Sequence, residues 1–318
     1  MEVLMKKKLA TIACTLLASQ VVMVGTYVHA EETTTTVSST NASENTKERL
    51  QINAVAIGNA LTAKQKEWTL DKLGIQGETP IYETNGADLM HYLPNDGFTK
   101  DWAVYSSVRM QTLEEGGGID VTITTPENIT KITEAQYQNA ALTAGIHDAK
   151  LTVASAVPID GSGALAGVYK IVEESGGLIQ QNRVEVAQEE MDVLSKITEE
   201  NKDKDGYSDE ALNAAQEQAK AELAQKQADG TELTQADIQA TIQNALAEHG
   251  LKELVTSDQL SELTGLLNDM KEKNIFEDFV NELDLTEAKQ QIEEKSKGLW
   301  ASIKQFFSGI WESLTGNK

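Results

Sequence analysis

The spacing of apolar residues divides the chain near residue 176, with short strand and helix signals before it and long helical stripes after it. "INAVAIG" at residues 52–58 predicts a strand. Thr62 with Gln65 forms a capping box for a helix through Leu73, which Gly74 ends. "TPIYET" predicts a second strand, and a short helix from Ala87 to Leu93 stops at Pro94. "AVYSSVRMQTL" and "IDVTIT" flank Glu114, Glu115 and the triplet Gly116, Gly117 and Gly118, a pattern that predicts a hairpin. "NITKI", a helix from Glu134 to Ala144, "KLTVASAV" and a helix from about Gly163 to Glu174 then read as a β-α-β-α run.

After Gly176 and Gly177 the strand signals cease. Apolar residues at 184, 187, 191, 194 and 197 mark one helix, and "SDEALNAAQEQAKAELAQKQA" is nearly pure helix former, closed by Asp229 and Gly230. Thr234 caps a helix to His249 with Gly250 behind it, and a stripe at 260, 263, 266, 267 and 270 marks another. The pattern predicts an α/β or α+β N-terminal domain over 51–176, followed by a mostly α-helical C-terminal region. In that region 177–285 reads as a helical bundle or hairpins, and 286–318 as an amphipathic aromatic helix.

The ends of the chain add a location. Lys6, Lys7 and Lys8, an apolar run from Leu9 to Val28, and the small-residue end Val28-His29-Ala30 form the three-part pattern of a signal peptide over 1–30. Residues 31–50 are Thr/Ser-rich and read as a flexible spacer. Cleavage removes three lysines, one glutamate and the single cysteine, Cys14. The mature chain then has 288 residues and a net charge of −25. It would fold without disulfides, in an extracellular or surface-associated setting, and such a charge repels nucleic acid and other polyanions.

"SSVRMQTLEEGGGIDVTI", "YQNAALTAGIHDAKLTVASAVPIDGSGALAGVYK" and the "LTAKQ" helix start resemble the YpuA-like family, secreted proteins of Gram-positive bacteria grouped as a domain of unknown function. The resemblance covers roughly residues 52–285. It implies an exported, signal-bearing bacterial protein and transfers no catalytic residues.

Four patterns invite chemistry. Gly161, Gly163 and Ala166 fit G-x-G-x-x-A between a strand and a helix, where backbone amides can cradle a pyrophosphate; the plainer reading is a tight turn that lets small residues pack. Ser162 with His147 would suit a hydrolase if their turns shared one sheet edge, while His91 and His249 complete a dispersed set of imidazoles. Asn201, Asp203, Asp205, Gly206 and Asp209 occupy positions 1, 3, 5, 6 and 9 of an EF-hand-like loop, making a candidate weak calcium site. Position 12, however, is Leu212, and the alternative is a solvated turn with Ser208 capping the next helix. Glu114 and Glu115 are adjacent acids, which neighbouring strand positions would aim apart.

The tail carries the largest unexplained apolar surface. At 100° per residue Leu299, Trp300, Ile303, Phe306, Phe307, Ile310, Trp311 and Leu314 fall in an arc of about 140°. Four lysines against one glutamate from Lys295 to Lys318 give this end a charge of +3. Three occupants fit: the protein's own helices or a second copy, a membrane surface, or another envelope protein. The sequence thus points to a non-enzymatic binding or structural module of the cell envelope. The alternative is a secreted hydrolase of a wall or extracellular polymer, using carboxylates in an interdomain cleft.

Overall fold

The computed structural model describes residues 50–75, 77–94, 97–114 and 117–282. Five strands form one sheet: β1 (Asn53–Gly58), β2 (Ile81–Thr84), β3 (Ser107–Thr112), β4 (Ile119–Ile123) and β5 (Ala149–Ala154), in the order β2-β1-β3-β5-β4. β1 pairs parallel with β2, and β4 parallel with β5, while the central β3 runs antiparallel to β1 and β5. The helices interleaved with the strands are α1 (Ala63–Lys72), α2 (Gly86–Tyr92), α3 (Glu134–Thr143) and α4 (Ser162–Glu174).

One sheet face packs on α4, α3 and α2 through Ala54, Ala56, Val108, Leu151, Val153, Leu165 and Tyr169. Their alternation with Val55 and Ile57, which meet Leu73 in a smaller core, places α1 over part of the other face. Gly167 permits the close approach of α4, since a Cβ there would lie 2.8 Å from that of Ala56.

Beyond α4 the chain is helical: α5 (Gln181–Asn201), α6 (Asp209–Ala228), α7 (Gln235–Glu248), α8 (Ser257–Glu272) and α9 (Ile275–Glu282). Val184, Ala187, Met191, Leu194 and Ile197, the stripe legible in the sequence, are all buried. Leu194 and Ile197 join Leu223, Ile242, Leu263 and Phe276 in a second core. The N-terminal region therefore mixes strands and helices and the C-terminal region is helical, as the apolar pattern predicts. Among the described residues no helix is long and apolar enough to cross a membrane.

Two local expectations are corrected. β3 and β4 do not form a hairpin, because β5 lies between them. The Gly-rich link straddles the start of β5, where Asp148 holds both of its ends: its carbonyl accepts from the Leu113 N–H at 2.6 Å and its Oδ1 from that of Gly118 at 2.9 Å. "NITKI" contributes only a parallel bridge from Ile129 to Ile159, and the β-α-β crossover is β4-α3-β5.

Candidate functional site

The C-terminal ends of β1, β2, β4 and β5 share one edge of the sheet, where open α/β sheets tend to hold ligands. The Gly161 loop lies there, but two of its amides, those of Ser162 and Ala164, are engaged within the protein. The Ser162 N–H donates to Asp160 Oδ1 at 3.0 Å and the Ala164 N–H to Ser106 Oγ at 3.0 Å, while the Gly161 carbonyl accepts from the Tyr137 hydroxyl at 2.8 Å. A Cβ on Gly163 would stand 2.3 Å from Val104 Cγ1, so the small residues serve close packing. Beside this loop Phe98 meets the exposed Trp102 edge-on, ring centroids 5.4 Å apart.

Ser162 and His147 stand at opposite ends of β5, which at about 3.3 Å per residue puts more than 15 Å between them. The nucleophile-and-base geometry is therefore not assembled. His91 lies in the last turn of α2 beside the Tyr92 ring. His249 caps α7 and meets Gln218 Oε1 at 3.0 Å, with burial holding its imidazole below the usual range. Glu114 is exposed, and Glu115 lies outside the described residues.

In the loop after α5, Asn201 is fully buried, and its Nδ2 donates to the Ile197 carbonyl at 2.6 Å. Lys204 Nζ donates to Asn201 Oδ1 at 2.5 Å and to the Leu254 carbonyl at 3.1 Å, so an ammonium occupies the side of Asn201 that a calcium ligand would use. Asp203 and Asp205 point to solvent. Asp209 faces the other way, its two oxygens accepting from the hydroxyls of Thr198 at 2.6 Å and Thr133 at 2.7 Å. Ser208 caps α6 through the Ala211 N–H. Among the described residues no group of three or more His, Cys, Asp or Glu is placed to hold a metal ion.

Asp209 instead begins a polar seam joining the sheet half to the helices. α6 runs parallel to α3 and α5 antiparallel to both, so their facing residues meet in steps. Thr133 meets Asp209, Asn139 Nδ2 donates to Asn213 Oδ1 at 2.6 Å, and Thr143 meets Lys220 at 3.0 Å. From α5, Glu190 accepts from Thr143 Oγ1 at 2.5 Å, Gln216 Nε2 at 3.0 Å and Lys220 Nζ at 3.0 Å. Lys220 also pairs with Glu217 one turn away on α6. Arg183, at the start of α5, donates to the carbonyls of Thr143 at 2.8 Å and Leu142 at 3.2 Å. It thereby places a cation at the C-terminal end of α3, supplying a donor to the Thr143 carbonyl and a second one to that of Leu142, which also accepts from the Gly145 N–H.

Arg183, Glu190, Gln216 and Lys220 are at most 1 % exposed. Phe279 of α9 covers the two cations, its ring centroid 5.3 Å from the Arg183 guanidinium carbon and 6.0 Å from Lys220 Nζ. Burial opposes the charge of Lys220, but Glu190 and Glu217 hold its ammonium above the usual range. At the open end of the seam a cavity of about 170 Å³ is lined by Thr133, Glu134, Gln138, Asp209 and Glu210, among others. Burial pushes the Asp209 carboxyl up, partly offset by its two hydroxyl donors. Glu134 Oε1 is engaged at 2.7 Å by the Ile123 N–H.

Burial pushes the Glu217 carboxyl from 4.5 up to about 7, with Lys220 opposing the rise and Glu190 adding to it. The folded state therefore holds an extra proton between about pH 4.5 and pH 7. Its stability from this group is full below the lower value and lost as pH rises through the upper one. Urea midpoints of the native chain should fall over this interval, and Glu217→Gln should flatten that part of the profile. An unchanged slope in the variant would assign the dependence to other groups.

The seam was not foreseen from sequence, although a signal existed. Arg183 and Glu190 are seven residues apart, and Asn213, Gln216, Glu217 and Lys220 recur at three- and four-residue steps on an Ala-rich helix. Leu299, Trp300, Ile303, Phe306, Phe307, Ile310, Trp311 and Leu314 lie outside the described residues, as does the signal-like leader.

Comparison with known proteins adds a kinship. A family model described as "Protein of unknown function (DUF1002)" matches residues 57–286. The chain is 28 % identical over 270 residues to the "Uncharacterized protein YpuA" of Bacillus subtilis (strain 168), covering 82 % of this chain and 87 % of that relative. No solved structure matches the chain.

Proposed function

This chain belongs to the DUF1002 family, and from that premise we propose that it is an exported protein of the cell envelope. In this reading it acts as a non-enzymatic binding or structural module, and its amphipathic tail attaches it to a membrane surface or an envelope partner. The observation that carries the reading is the seam. Where the alternative hydrolase would place a carboxylate-lined cleft, Glu190 and Glu217 are buried against Lys220 and tie the sheet to the helices. Such carboxylates hold structure and do not meet a polymer.

The acids Glu134, Asp209 and Glu210 border a space of about 170 Å³, below the roughly 300–1,000 Å³ typical of small-molecule sites. Export is supported by the three-part leader, and attachment by eight large apolar residues on one side of the tail, each contributing about 1.5–3 kcal/mol when fully buried.

Cell fractionation of the native chain beside a version ending at Ser296 tests the reading. The native protein should follow the envelope and the shortened one should enter the medium. Equal release of both would remove the tail from the attachment role, and retention of both in the cytoplasm would remove export. Clearing of a purified wall suspension by the native chain, abolished by Glu134→Gln, would replace the binding module with the hydrolase.

A further inference from the structure

We propose that the half of the sheet face beside α1 that no described helix covers is a docking surface for a polysaccharide strand of the cell wall. This rests on the export reading above and adds the class of partner.

The register assembles the surface from residues scattered along the sequence. Asp120 of β4 stands opposite Lys150 of β5, Lys150 opposite Gln111 of β3, and Gln111 opposite Asn53 of β1. One step along the strands, Thr122, Thr152 and Arg109 form a second row. Each row crosses the strands at intervals of about 4.8 Å, and the rows lie about 6.7 Å apart. The opposite faces of these strands are core, so all seven side chains project away from α3 and α4. Each is half-buried or exposed.

The chemistry favours a glycan. The seven residues are all hydrogen-bonding and none is aliphatic, which suits an array of hydroxyls and offers little to an apolar protein face. Two cations against one carboxylate give the surface a charge of +1 on a chain of −23. The surface thus accepts a neutral strand with occasional carboxylates, while the chain as a whole repels dense polyanions.

Arg109 is held in place before any ligand arrives. Its Nε and Nη2 donate to Asn53 Oδ1 at 3.2 and 3.1 Å and its Nη1 to the Gly74 carbonyl at 2.6 Å. Lys150 pairs with Asp120 at 2.7 Å. A surface fixed in this way loses little side-chain freedom on binding. The interval of about 4.8 Å between strands along each row approximates one sugar ring per strand, so an extended glycan would lie across the strands and meet a donor or acceptor at each.

The test is co-sedimentation of the mature chain with insoluble peptidoglycan stripped of anionic polymers. It is run beside the double variant Gln111→Ala with Thr152→Ala and a control, Lys252→Ala, on the exposed turn before α8. Removing two hydrogen-bonding groups should weaken binding about tenfold, with thermal unfolding unchanged and the control binding as the native chain does. Undiminished binding by the double variant overturns the proposal, and so does a native chain that stays in the supernatant. A dimer abolished by the double variant, without glycan binding, overturns it in favour of a second copy. Export is scored independently by fractionation, so an exported chain that ignores peptidoglycan sinks the partner and spares the reading it rests on.

Discussion

Lys220→Met should destabilise the protein by about 3–5 kcal/mol at pH 8, the range for removing one partner of a buried ion pair. The ammonium sits 3.0 Å from Glu190 and also against Glu217, with 1 % of its side chain exposed. Without it Glu190 keeps two neutral donors, Thr143 and Gln216, while Glu217 loses its cation. Folded domains are stable by only about 5–15 kcal/mol, so the loss is a large share of the total.

The pH dependence identifies the mechanism. Uncompensated carboxylates are relieved by protonation, so the deficit should shrink when unfolding is measured at pH 5. Adding Glu217→Gln to the methionine variant should recover part of the loss at pH 8, because the remaining charge is then removed. A cost under 1 kcal/mol at both pH values would mean that the seam is wet or that α6 shifts to pair the acids elsewhere.

Gly161→Ala should cost about 2–5 kcal/mol, for two separable reasons. The backbone at Gly161 has φ +113°, a conformation that an L side chain strains to adopt, and a Cβ there would lie 2.5 Å from the Tyr137 hydroxyl. Tyr137 is fully buried and donates to this same residue's carbonyl, so it has little room to move. Gly230→Ala isolates the first reason: its φ is +79°, yet nothing stands within 4 Å of the added methyl. That variant should lose about 1–2 kcal/mol from backbone strain alone. Thermal and urea unfolding of the pair measures the difference, and equal losses would show that Tyr137 yields without cost.

The same glycine illustrates how a motif can mislead. G-x-G-x-x-A was legible as a strand-to-helix turn, and the turn is there. Whether its amides face a ligand depends on Ser106, which caps the Ala164 N–H from 58 residues away. The calcium-like loop is parallel: the spacing of Asn201, Asp203, Asp205 and Asp209 is visible in sequence. The turning of Asp209 toward Thr133 of another helix is not.

What the sequence by itself determined is local. The Thr62–Gln65 capping box, the Ser208 and Thr234 caps, the glycine helix ends and the stripes on α5 and α8 all form as their spacing requires. Each depends on residues within a turn or two, where steric preference and hydrogen-bond reach act without the rest of the chain.

Tertiary structure alone decided the strand order and the seam. β5 separates the two strands that read as a hairpin, and Asp148 at its start bonds the chain on both sides of the intervening loop, a contact no periodicity encodes. Thr143, Glu190 and Lys220 come together across 47 and 77 residues. Polar residues on a helix face ordinarily read as solvated, and only the packing of α5 and α6 against α3 removes the water and makes them partners.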